Sequence, residues 1–119
     1  MREFETGATR NAEEGKLDFD GFLSGPALEA FAKYMNKHRT QADGEVRDSD
    51  NWQKGIPIPV YRKSAWRHWF DVWMLLRGYK VRANEDGSEV TLVDALCGLM
   101  FNVQGLLHEV LKKEEEAKK

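Results

Sequence analysis

One cysteine, Cys97, stands in the 119 residues, and a lone thiol cannot close a disulfide within the chain. That excludes a disulfide scaffold and suits a reducing compartment. Proline is scarce, at Pro26, Pro57 and Pro59 only, so long stretches are free to run as helix. No run of about 18 apolar residues exists to cross a bilayer, and the opening MREFETGATR has no apolar core of a secretory leader. Both absences predict a soluble, intracellular protein with no membrane partner. Charge of one sign is also missing: the formal net charge of −2 gives no global field to draw in a polyanion, so a stable nucleic-acid complex is not expected. No Walker loop, dinucleotide fingerprint, paired CxxC or nucleophile elbow is present. Cys97, in an apolar helical pattern, reads as inert core.

Tryptophan, by contrast, is plentiful. Of four, Trp66, Trp69 and Trp73 share one segment with Phe70. That is more ring surface than a small monomer core readily hides; self-association would absorb it, and so would a ring-lined ligand pocket. The length corresponds to one domain.

Periodicity predicts an all-α protein, a small bundle of three to four helices behind an extended N-terminal arm. Residues 1–25, punctuated by Gly7, Gly15, Gly21 and Gly25, show no helical period and form the arm, with Phe19, Phe22 and Leu23 placed to anchor it on the body. The helical domain covers 26–111. Its first helix starts at a Ser24 or Gly25 cap with Pro26 in the first turn, and carries Leu28, Phe31, Tyr34 or Met35, and His38 as a stripe. TQADGEVRDSDNWQKG then gives a loop, long enough that an ordered one implies a task. The second helix starts at Pro57 or Pro59 and ends at Gly78. Residues 79–92 are either a short β-hairpin turning at NEDG or a plain loop. The third helix starts near Thr91, where Thr91 and Asp94 have capping-box spacing, and KKEEEAKK at 112–119 reads as a disordered, charged tail.

The second helix is apolar almost all round except for Ser64, Arg67, His68 and Asp71, at i, i+3, i+4 and i+7. This stripe is either a solvated face or a polar seam along a pocket. As a seam, His68 and Asp71 suit a metal or a phosphate-bound water, and Arg67 suits phosphate oxygens. On the third helix Asp94 either caps the helix or serves the site, and Asn102 lies in an apolar run where its amide needs a partner. Gly98 and Gly105 mark a close approach by another helix or a ligand. Arg10, Lys16 and the group Asn51, Trp52 and Lys54 combine cations, glycine-freed amides and a ring, which suits phosphate and a base. For Trp52 the alternative is a plug at the end of the bundle.

TGATR at 6–10, GKLD at 15–18, NWQKGIP at 51–57, SAWRH at 64–68 and DALCGLMFN at 94–102 jointly resemble a mostly phage-encoded family, the dATP/dGTP diphosphohydrolase N-terminal domain, linked to MazG-type all-α nucleotide pyrophosphohydrolases. The resemblance implies a purine nucleotide partner, cleavage of a (deoxy)purine triphosphate to monophosphate and pyrophosphate, Mg²⁺ (or Mn²⁺), a homo-oligomer, and the cytoplasm of an infected host. It implies metal at Asp71 and Asp94, with His68 positioning the attacking water or shuttling its proton. Arg67, Lys54, Arg10 and Lys16 would clamp phosphates; Trp52, Asn51, Ser64 and Asn102 would contact the rest of the substrate. The chain departs from the four-carboxylate pattern typical of MazG-type sites, since the facing helices offer only His68 with Asp71, and Asp94 with Asn102. Two further expectations follow: a catalytically silent binder that sequesters a nucleotide or nucleotide-derived immune signal, or a structural oligomer.

Overall fold

Three helices carry the body, and the sequence around each explains where it starts and stops. The computed structural model describes residues 2–119. A two-stranded antiparallel pairing of β1 (Arg2–Glu3) and β2 (Thr9–Arg10) opens the chain, followed by a one-turn helix α1 (Phe19–Phe22). Helix α2 (Gly25–Lys37) begins where the Ser24 hydroxyl accepts the Ala27 N–H at 3.2 Å, with Pro26 in the first turn. Helix α3 (Ile58–Leu76) follows Pro57 and terminates at Arg77 and Gly78, the latter at φ +90°, a conformation that glycine reaches without strain. Helix α4 (Leu92–Ala117) is capped by Thr91, whose hydroxyl accepts the Asp94 N–H at 3.1 Å. This is an all-α bundle with one small sheet.

The α3–α4 pair is the heart of the packing. Gly98 and Gly105, two turns apart on α4, leave room for bulky groups of the neighbouring helices. A methyl group at Gly98 would overlap the His68 imidazole and the Tyr34 hydroxyl; one at Gly105 would overlap the Tyr61 ring. Helix α3 thus approaches α4 across a strip of small residues, which accounts for two glycines inside a long helix despite their propensity cost. Tyr61 and Val72 from α3, and Ala95 and Cys97 from α4, are the buried hydrophobics. Helix α2 joins them at one end through Tyr34 and a Lys37–Asp94 ion pair of 2.5 Å.

Two expectations meet a different arrangement, and a third is met. The arm is extended through β1 and β2 and takes one helical turn at α1, but it is not anchored as expected: Phe19, Phe22 and Leu23 are all exposed. The segment read as a disordered tail is helical to Ala117, where Lys, Glu and Ala are all good helix formers continuing α4 without a breaker. Of the two alternatives for 79–92, the chain takes the hairpin path, turning back on itself with an Arg82–Glu89 bridge and the Val90 N–H on Val81 O at 2.9 Å.

Candidate functional site

A cavity of about 550 Å³ opens between α2, the loop 38–57, α3 and α4. Its size falls within the range of small-molecule sites, roughly 300–1,000 Å³. Each wall has a local cause. Helix α2 contributes Phe31, Tyr34, Met35 and His38, the apolar stripe read from the sequence extended to its polar end. Helix α3 contributes Ser64 and His68, one turn apart on one face, and α4 contributes Phe101 and Asn102.

The loop closes the fourth side and is held by backbone geometry. Arg39 and Arg47 pair across it: the Arg47 N–H donates to Arg39 O at 2.9 Å, and Arg39 Nε donates to Arg47 O at 2.8 Å. Arg47 Nη2 reaches His38 O at 2.7 Å, and Thr40 and Val46 form a bridge. Neither guanidinium forms an ion pair among the described residues, and both line the cavity with donors to spare. Further on, Asn51–Lys54 make a 3₁₀ turn, and Gly55 at φ +119° redirects the chain so that the Ile56 N–H meets Glu109 Oε1 at 3.3 Å. Trp52 lies edge-on to the rings of His108 (4.9 Å between centroids) and Phe101 (6.4 Å). It is therefore seated against α4 as the plug reading expects, and it also forms part of the cavity wall.

The polar floor is Asn102, only 3% exposed. Its Nδ2 donates to Gly98 O at 2.8 Å, and because a carbonyl partner demands the NH₂ end, the amide oxygen is the atom left over as an acceptor. His68 packs on Gly98 beside it. Burial lowers the His68 pKa below its ordinary value, with nearby Asp71 opposing and Arg67 and His38 reinforcing the shift. Burial and the adjacent Lys37 lower His38 likewise. Both imidazoles are therefore neutral at pH 7, each offering one donor and one acceptor nitrogen. Burial and the field of Asp94 raise the Tyr34 phenol, which stays protonated.

Of the residues singled out from sequence, Asn51, Trp52, Ser64, His68 and Asn102 are brought together on this cavity. The polar stripe of α3 divides: Ser64 and His68 line the cavity, Asp71 is half-buried outside it, and Arg67 is exposed. Lys54 is exposed at the end of the 3₁₀ turn, and Arg10 and Lys16 are exposed on the arm; none of the three lines the cavity. Asp94 sits in the first turn of α4 with its carboxylate on Lys37. Sequence reading missed Arg39, Arg47, Tyr34 and His38 as site residues. The two arginines flank the turn-forming QADGEV, whose closure puts them side by side, and that closure was the available signal.

The carboxylates fit a magnesium centre poorly. Among the described residues no group of three or more His, Cys, Asp or Glu side chains stands together, Asp94 is engaged by Lys37, and Asp71 lies off the cavity. Mg²⁺ is commonly held by one or two carboxylates together with water and substrate phosphates, but here neither Asp71 nor Asp94 lines the cavity where the phosphates would lie. Among the described residues no helix is long and apolar enough to cross a membrane. No protein-family model, curated protein or solved structure matches the chain.

Proposed function

We propose that the cavity binds a purine nucleotide. The observation that carries this reading is the combination on one cavity of aromatic walls, a buried amide with a spare acceptor, and two guanidiniums without carboxylate partners. Phe31, Trp52 and Phe101 offer flat apolar surface for a base. Asn102 Oδ1 accepts a hydrogen bond from an exocyclic or ring N–H, a contact that distinguishes one base from another because a buried polar atom left unpaired is costly. Arg39 and Arg47 supply the charge and the forked donors that phosphate oxygens favour.

The motif resemblance adds a reaction to this binding: water attacks phosphorus, the α–β phosphoanhydride bond breaks, and a monophosphate and pyrophosphate leave. The poor fit of Asp71 and Asp94 to a Mg²⁺ or Mn²⁺ centre favours the second reading, a binder that holds its nucleotide without turnover. One experiment addresses both. The protein is titrated calorimetrically with dATP, dGTP, ATP and GTP, with and without Mg²⁺ or Mn²⁺, and each mixture is assayed for pyrophosphate. Binding that weakens about tenfold or more in Arg39→Ala or Arg47→Ala, the scale of losing one charge-assisted hydrogen bond, supports the site. Metal-dependent pyrophosphate release abolished in Asp94→Ala supports the hydrolase; recovery of intact nucleotide supports the binder. Absence of heat with every nucleotide refutes both.

A further inference from the structure

The cavity is polar at its floor and charged at its rim, and the charge comes from one stretch of chain. Asn102 lies at the floor, and Phe31, Trp52 and Phe101 stand along the walls. With both histidines neutral, the charged groups that line the cavity are Arg39, Arg47 and Asp48, all on the loop 38–57. Arg39 donates through Nε to Arg47 O at 2.8 Å and through Nη1 to Asn36 Oδ1 at 3.4 Å, while Arg47 Nη2 donates to His38 O at 2.7 Å. These bonds occupy a minority of the donors on the two heads. They also tie both heads to one clasp, so the pair meets an anion at one point rather than along an extended chain. Asp48 follows Arg47 directly and lines the same cavity, exposed and without an ion-pair partner among the described residues. Other cations stand away from it: Lys37 is held by Asp94, and Lys54 and Arg67 are exposed off the cavity.

We infer that the cavity takes a purine nucleoside carrying a single phosphate, and that Asp48 is the residue that turns longer phosphate chains away. The inference rests on the nucleotide reading of the cavity and narrows it. A phosphate monoester carries about −1.5 to −2 charge at pH 7, which the two guanidiniums match with forked donors. Each added phosphate of a di- or triphosphate brings further negative charge, and no further cation lines the cavity to meet it. With the base on the floor and the first phosphate on the clasp, the added groups lie at the rim with Asp48, where like charges repel. Specificity built on such a repulsive group needs no extra contact with the favoured ligand. A divalent cation bridging Asp48 to the phosphates would reverse the sign. It would find no group of three or more His, Cys, Asp or Glu among the described residues, and two guanidiniums on the same loop would oppose it. Because Asp48 is exposed, solvent screens its field, and its share of the discrimination is up to about fivefold, the scale of one exposed charge pair.

The test is calorimetric titration of the wild type and Asp48→Asn with adenosine, AMP, ATP, guanosine, GMP and GTP, in EDTA and again in Mg²⁺. For the preferred base, the wild type is expected to bind the monophosphate about tenfold or more tighter than the nucleoside, the scale of one charge-assisted hydrogen bond. The triphosphate is expected to bind no tighter than the monophosphate. Asp48→Asn should tighten the triphosphate by about two- to fivefold and leave the monophosphate within about twofold. A wild-type preference for the triphosphate overturns the inference and leaves the nucleotide reading standing, as does a nucleoside that binds as well as its monophosphate. Pyrophosphate release from ATP or GTP also overturns it, since a hydrolase must seat the longer chain. An equal response of both ligands to Asp48→Asn, or a weaker hold on the triphosphate in Mg²⁺, overturns the role of Asp48. Failure of every nucleotide to bind refutes the nucleotide reading itself. The wild-type comparison needs no variant, so it decides the phosphate number even if Asp48→Asn loses its helical circular dichroism.

Discussion

His68 is held neutral by burial, and that choice links the site to stability. Its folded-state pKa lies below the ordinary 6.5, with burial as the main cause. The unfolded chain therefore binds the proton more readily, and stability rises with pH wherever that difference operates. The contribution is complete above the unfolded value and is lost as pH falls from 6.5 through the lower folded value. His68→Gln, which cannot titrate, should flatten the fall in thermal midpoint on acidification from about pH 7.5 to 5; His38, shifted the same way, leaves a smaller residual slope. A variant with an undiminished slope would show that His68 does not titrate against folding. Gly105 makes a second residue-scale case. Alanine there gains about 1 kcal/mol of helix propensity, but its methyl group meets the Tyr61 ring, which is itself fully packed. Forcing a group into a filled core typically costs about 1–3 kcal/mol, so Gly105→Ala should unfold at lower denaturant than the wild type. Equal or higher stability would mean that α3 can step back from α4 at little cost. Both sites were partly legible in sequence: a histidine in a polar stripe and a glycine inside a helix each announce something. The partner in each case, Gly98 for His68 and Tyr61 for Gly105, depends on helix pairing that no single segment encodes.

Elements were the most readable scale where the signal is local. Ser24 before Gly-Pro, Thr91 before an apolar run and Gly78 after one are chemical start and stop marks: α2 and α4 begin at the first two, and α3 ends at the third. Docking is a different matter. The arm's Phe19, Phe22 and Leu23 look like anchors by type, yet type says nothing about whether a complementary surface stands within reach, and here they are exposed. The loop 38–57 was legible as part of a binding site through Asn51 and Trp52, which do line the cavity, but its Arg39–Arg47 clasp was not, because that clasp joins residues eight apart through backbone oxygens rather than through a motif. Docking of α2 on α4 yields a prediction at this scale. The Lys37–Asp94 pair is short, but both side chains are a third or more exposed, so solvent screens much of its strength. A double-mutant cycle with Lys37→Met and Asp94→Ala should give a coupling of about 0.2–1 kcal/mol. The Thr91 cap survives in both variants, since the Asp94 N–H and not its carboxylate makes that bond. Coupling well above this range would make the pair, rather than the apolar contacts of Phe31, Tyr34 and Met35, the reason that α2 stays in place.

At the scale of the whole molecule the chain is too open for its size. Its radius of gyration is 19.5 Å, where a folded chain of this length has about 13–14 Å. Few of its large hydrophobics are fully buried, and Tyr61 and Val72 are the fully enclosed ones. A body with so small a core would be marginal alone, because burial has to offset the conformational entropy of every ordered residue. The tryptophan surplus visible in the sequence is the same fact seen earlier, and only the fold shows that the rings sit on the far side of α3 from the core. If a second copy supplies the missing burial, folding and association are one equilibrium. The thermal midpoint then rises with protein concentration, since mass action favours the associated state. Differential scanning calorimetry over a dilution series should show this rise in the wild type. In Leu96→Glu/Val103→Glu the midpoint should be lower and independent of concentration. A concentration-independent wild-type midpoint that matches the variant's would mean that the α3–α4 pair, with its strip of small residues and one enclosed tyrosine, is stable by itself.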